Sequence, residues 1–198
     1  MQKKGFTLIE LIVATAIGGA FLLVLAMTFR ASLFSVETTS IQSDLDVKAA
    51  SVVDLMVKEL KDAGGGMYAS LTIDPSHQAI TFSRCTGYAN GAPTYGNPIT
   101  YALATYGSSV CLERRELVNG AQQSQILCDQ LSARVHTVRS AQGIDRGVTG
   151  VYFENISASV VMLTVVVEKS NYLLKTTSAT TDDLMWAASQ ASVEIVNN

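Results

Sequence analysis

The chain has 198 residues, which suits one membrane helix followed by one soluble domain of ordinary size. Its 14 basic residues stand against 17 acidic ones, so the net charge is −3, and a nucleic-acid partner is not expected. The three cysteines contain no Cys-x-x-Cys, so neither a zinc ribbon nor a thioredoxin-like site is supported.

The first element is apolar. Lys3 and Lys4 precede a run from Phe6 to Phe29 that holds one formal charge, Glu10. As a helix, such a run rises about 36 Å, enough for a bilayer core of about 30 Å. The two lysines predict a cytoplasmic N-terminus, with everything after Arg30 outside the cytoplasm. A cleaved secretory signal has a shorter apolar core and a small-residue cleavage site, whereas Thr28-Phe29-Arg30 follows here. A carboxylate in such a helix is costly without a partner, which marks Glu10 as functional.

Residues 36–63 continue as an amphipathic helix, with Ile41, Leu45, Ala49, Val52, Met56, Leu60 and Ala63 on one face. Gly64-Gly65-Gly66 is expected to end it. No proline interrupts the run from Phe6 to Ala63, so one helix of about 58 residues is predicted rather than two broken near Ser35. Alternation then predicts strands over 79–85, 98–104, 110–118, 147–154 and 157–169, with a further return at 125–128. Breakers are placed at 88–93 and 106–109, a hairpin turn at Asn119-Gly120 and a turn at Asn155-Ile156. Residues 172–177 are expected to extend the sheet. Thr181-Asp182-Asp183 reads as the cap of a short helix through Ser189, and 191–196 as a closing strand. The predicted class is α+β, a long helix on an antiparallel sheet.

The domain offers little chemistry. His77 and His136 are the only histidines, and neither has a catalytic or metal-binding partner that the sequence can place. No catalytic residue, metal or cofactor is assigned, and no Asp-rich loop supports calcium. Arg114, Arg115, Arg134, Arg139 and Arg146 read as a solvated strand face rather than a basic patch. Tyr88, Tyr95, Tyr101 and Tyr106 read as a contact surface, with core packing an equal account of Tyr101. In an oxidising compartment, a hairpin about Asn119-Gly120 favours a Cys111–Cys128 disulfide, with Cys85–Cys111 the alternative.

Lys-Gly-Phe-Thr-Leu-Ile-Glu at residues 4–10, followed by the apolar run, resembles the class III signal of type IV pilins and pseudopilins. The resemblance implies a leader, residues 1–5, removed by a prepilin peptidase between Gly5 and Phe6, and N-methylation of Phe6. It implies that Glu10 pairs with the N-terminal amine of a neighbouring subunit. Buried among apolar helices, each charge is costly alone, so the pair would fix subunit register. The remaining segments are then a membrane or filament-core helix (6–30), its amphipathic continuation (31–66) and an extracytoplasmic β-rich domain (67–198). Partners would be the peptidase, other pilin-like subunits and inner-membrane lipid before assembly into a pilus or pseudopilus. Ala63-Gly64, Ile80-Thr81-Phe82, Ile99-Thr100-Tyr101 and the Val-rich late strand are similar to PilW-like minor pilins and J-type pseudopilins, which implies a tip or initiating role. The alternatives are a pilin-like binding module for a surface, DNA or a secretion substrate, and a membrane-anchored extracytoplasmic domain.

Overall fold

The computed structural model describes residues 7–63, 71–107, 109–140, 142–157, 159–170 and 184–195. Among them are one helix and ten strands. Helix α1 runs from Leu8 to Lys61 without interruption, 54 residues long. The chain divides into two compact units, residues 1–40 and 41–198.

In the first unit no described residue of α1 is buried. Leu8, Ile9, Leu11, Phe21, Leu22 and Phe29 are each more than 60 % exposed, so the apolar surface has no partner within its own unit. Hydroxyls are spent on the helix itself: Thr15 donates to the Ile12 carbonyl at 2.9 Å and Thr28 to that of Leu25 at 2.9 Å. Such bonds let threonine sit in an apolar medium with no unsatisfied donor.

The second unit begins on the amphipathic part of α1. Leu45, Ala49, Val52, Val53, Met56 and Leu60 are buried, which matches the predicted face. They share one core with Phe82, Tyr101, Leu112, Phe153, Leu163 and Val165 from the strands. The helical ladder stops at Lys61, and the predicted glycine cap lies outside the described residues.

The strands are β1 (Thr72–Ile73), β2 (Ala79–Ala89), β3 (Ala92–Tyr106), β4 (Ser109–Val118), β5 (Ala121–Leu131), β6 (His136–Arg139), β7 (Asp145–Val148), β8 (Val151–Ser157), β9 (Val160–Ser170) and β10 (Leu184–Glu194). The main sheet is antiparallel in the order β1-β2-β3-β4-β5-β9-β10, with β8 also on β9. One edge of β9 is shared: Val160–Val165 pair with β8, and Val167 pairs with Leu131 of β5. Two hairpins turn on Asn90-Gly91 and Asn119-Gly120, where both residues of each pair have positive φ. That is the type I′ turn, whose twist matches the strands it joins.

Four expectations need correction. Residues 88–93 are not a long break; β2 and β3 pair to Ala89 and Ala92, leaving a two-residue turn. Residues 147–154 are not one strand, because Gly150 takes φ +67 and divides β7 from β8. Asn155-Ile156 is not a turn but lies within β8. Leu184–Ser189 is not helical. It forms the first half of β10, which pairs with β9 along its whole length, from Leu184↔Ser170 to Glu194↔Val160. Met185, Ala187, Ala191 and Val193, all at odd positions, join the core, so a period of two wins over the cap signal. The expected strand at 172–177 and the residues of that cap lie outside the described residues.

The β6–β7 hairpin forms a second, two-stranded sheet. Its Val138 and Val148 pack on Val166, on the face of β9 opposite the main core.

Candidate assembly site at the helix start

Thr7 and Glu10 begin α1 together. The Thr7 N–H and Oγ–H both donate to Glu10 Oε2 at 2.8 Å, and the Glu10 N–H reaches Thr7 Oγ1 at 3.4 Å. The first helical bond runs from the Leu11 N–H to the Thr7 carbonyl at 3.2 Å. This is a capping box: threonine at the cap and glutamate three residues on satisfy each other's donors. It also places a negative charge at the positive end of the helix dipole. The sequence reading missed Thr7, although Thr-x-x-Glu before an apolar run is a readable signal. Among the described residues both bonds to the carboxylate go to Oε2, which leaves Oε1 to accept from a further donor.

Around that carboxylate the helix offers only apolar surface. An 18-residue window of α1 has a mean hydropathy of 2.5, long and apolar enough to cross a membrane. Gly18 and Gly19 have nothing within 4 Å of a notional Cβ, so that face is open to close approach. Lys3, Lys4, Gly5 and Phe6 lie outside the described residues.

The other candidates separate. Cys85, Cys111 and Cys128 are free thiols, and neither expected disulfide is made. Leu112 pairs with Cys128, and both join the core under α1, so Cys111, one residue earlier, points to the opposite face. Cys85 pairs with Tyr95 and Cys111 with Ala104, so the alternative partners lie about 30 Å apart along β3. Burial pushes the Cys111 and Cys128 thiols up, assisted by the charge of Asp129.

The arginines are largely matched to carboxylates. Arg114 Nε meets Glu59 of α1 at 3.0 Å, and its Nη2 meets Glu116 at 2.8 Å. Arg115 pairs with Glu113, and Arg146 with Glu154. The Tyr101 hydroxyl donates to Glu59 at 2.5 Å, which puts this tyrosine in the core rather than on a contact surface. Burial opposes the charge of Glu59, but Arg114, Tyr101 and the charge of Arg84 hold its carboxyl below the usual range. Burial and the bond to Glu59 push the Tyr101 phenol up.

The histidines occupy different structures. His77 holds φ 60 in the turn before β2. Its Nδ1 bonds the Phe153 carbonyl at 2.7 Å, its own carbonyl accepts the Phe153 N–H at 2.9 Å, and its ring stacks on Tyr152. It thereby ties the turn to the edge of β8. His136 meets Ser132 and Glu168, a cluster the sequence could not reveal because Glu168 lies 32 residues from His136 on another strand. Ser132 is fully buried, so its hydroxyl is not an approachable nucleophile.

Residues 1–26 match the family model described as the prokaryotic N-terminal methylation motif. No curated protein and no solved structure matches the chain.

Proposed function

The chain carries the signal of a type IV pilin-like precursor at residues 1–26, and from this premise we propose that it is a minor pilin or pseudopilin, a structural subunit rather than an enzyme. A prepilin peptidase removes residues 1–5 and leaves Phe6 with a methylated amine. Residues 6–30 cross the inner membrane, with Lys3 and Lys4 on the cytoplasmic side, and residues 67–198 lie outside the cytoplasm. On assembly into a pilus or pseudopilus, the same helix moves from lipid into a bundle of like helices. The observation that carries this reading is the join of a methylation motif to a long apolar helix with no partner in its own unit. Glu10 supports the assembly role, because its carboxylate keeps an acceptor for a neighbour's amine while the capping box holds it in place. A place at the tip, where assembly begins, is the finer part of this proposal and rests on the resemblance of Ile80-Thr81-Phe82 and Ile99-Thr100-Tyr101 to segments of minor subunits.

The test is the intact mass and N-terminal sequence of membrane-extracted protein, made with and without a prepilin peptidase. The expected product with the enzyme lacks residues 1–5 and bears a methyl group on Phe6. An unprocessed Met1 in the presence of an active cognate peptidase refutes the proposal. Cross-linking to other minor subunits, absent from the filament shaft, then tests the place at the tip.

A further inference from the structure

The β6–β7 hairpin rests on β9 through few apolar side chains, Val138, Val148 and Val166, with Tyr152 beside them. A polar cluster at the start of β6 supplies a second attachment. Glu168 of β9 and Trp186 of β10 are cross-strand partners. Ser132, just after β5, donates its N–H to the Val166 carbonyl at 3.0 Å and its hydroxyl to Glu168 Oε2 at 2.6 Å. His136 Nε2 lies 2.7 Å from Ser132 Oγ and 3.2 Å from Glu168 Oε2. The imidazole packs against the indole of Trp186, ring centroids 4.7 Å apart.

The hydrogens in this cluster can be counted. Ser132 has one hydroxyl hydrogen, and the Glu168 carboxylate at 2.6 Å is a closer and stronger acceptor for it than the Arg134 carbonyl at 3.3 Å. Its oxygen then accepts, from the Arg134 N–H at 3.0 Å and from His136. His136 must therefore carry its hydrogen on Nε2, and a second proton can enter only at Nδ1. The neutral ring makes an ordinary bond to its neighbours. The charged ring makes an ion pair with Glu168, and charge-assisted bonds are the stronger kind. Both side chains are shielded, at 13 % and 14 % exposure, so solvent weakens the pair less than at an open surface.

We propose that Ser132, His136 and Glu168, packed against Trp186, form a proton-operated fastener: a proton taken from solvent at His136 Nδ1 turns the contact with Glu168 into an ion pair and ties the β6–β7 hairpin more firmly to β9 and β10. Glu168 is the carboxylate that faces His136 from β9. Lys169 on the same strand turns to Asp44 of α1. β7 places Val148 opposite His136, and its Arg146 is engaged by Glu154 of β8. β10 presents Trp186, and Arg134 stands two residues earlier on the same segment as His136. Histidine is the side chain that ordinarily changes charge between about pH 5 and 8, so that interval is the one in which to test the fastener.

The test uses the full chain in detergent. Amide exchange in β6–β7, divided by the intrinsic rate at each pH, should slow about three- to tenfold from pH 8 to pH 5. Emission from Trp186, the chain's one tryptophan, should fall over the same interval as its neighbour becomes cationic. His136→Gln should abolish both responses. Glu168→Gln keeps an acceptor for Ser132, so the hairpin should stay docked; the emission change should persist and the exchange response should vanish. His77→Asn, at a position where asparagine tolerates the left-handed backbone, should change neither. Hairpin protection equal at both pH values overturns the proposal, as does an exchange response that survives Glu168→Gln or the loss of either response with His77→Asn.

Discussion

The cap that Glu10 makes with Thr7 and its proposed pairing with a neighbour's amine can be separated by one substitution. As the third residue of a capping box it needs only an acceptor, which glutamine also provides. As the partner of a neighbour's amine it needs a charge. Glu10→Gln should therefore keep the helix start, because the bonds from Thr7 to Oε2 have an equivalent acceptor. If the charge sets register, Glu10→Gln and Glu10→Ala should both be processed normally yet fail to enter filaments. Filament content after shearing, compared with total processed subunit, checks this. Normal incorporation of Glu10→Gln would reduce the residue to a helix cap. Thr7→Ala removes the cap but leaves the charge. It should cost about 1 kcal/mol of helix stability and lower incorporation only modestly.

At the scale of elements, α1 and the sheet are joined by more than apolar contact. Arg114 of β4 bridges Glu59 of α1 and Glu116, with side chains of 15 %, 15 % and 21 % exposure. Arg114→Leu leaves Glu59 charged and shielded, with a hydrogen bond from Tyr101 and the more distant charge of Arg84, and should cost about 3 kcal/mol. Replacing Glu59 and Arg114 together by leucine and methionine should recover much of that loss, since no charge is stranded. The folded-state pKa of Glu59 lies below its unfolded value, so its contribution is present above the ordinary glutamate range. It drains away as pH falls through the lowered value. A thermal melt followed from pH 6 to pH 3 should fall more steeply in the parent chain than in Glu59→Gln. The apolar face of α1 was legible in the sequence, because a helix repeats its burial locally and six of its residues are buried along one stripe. The Asn119-Gly120 turn was legible for the same reason. The arginine pairs, the His136 cluster and the cysteine faces were not, because each depends on which strand lies beside which. A single bulge on β5, where Cys128 rather than Leu127 stands opposite Leu112, decides where Cys128 points. The first half of β10 was misread because Thr181-Asp182-Asp183 is a strong local signal, while pairing with the valine-rich β9 is a longer-range one that prevails; its second half, from Ala191, was read as a strand.

For the whole molecule, the two units make opposite demands on their surroundings. The first unit exposes leucine, isoleucine and phenylalanine on every side, and water solvates such a surface poorly. The second contains a closed core, but that core includes part of the same helix. Leu45, Val52, Val53 and Met56 are buried against strand residues, and each is worth about 1.5–3 kcal/mol in that position. Together they rival the whole stability of an ordinary domain, about 5–15 kcal/mol. The place where the chain is shortened should therefore decide the outcome sharply. A chain starting at Ile41 keeps every buried helix residue and should be soluble without detergent, with a single cooperative melt. A chain starting at Val57 retains Leu60 but loses the four residues above, baring Leu163, Val165 and their neighbours in the sheet. It should aggregate or melt without cooperativity. Sedimentation and circular dichroism of the two fragments check this directly. A cooperative, monomeric fragment starting at Val57 would mean that the sheet closes its own core and that the helix is only a tether.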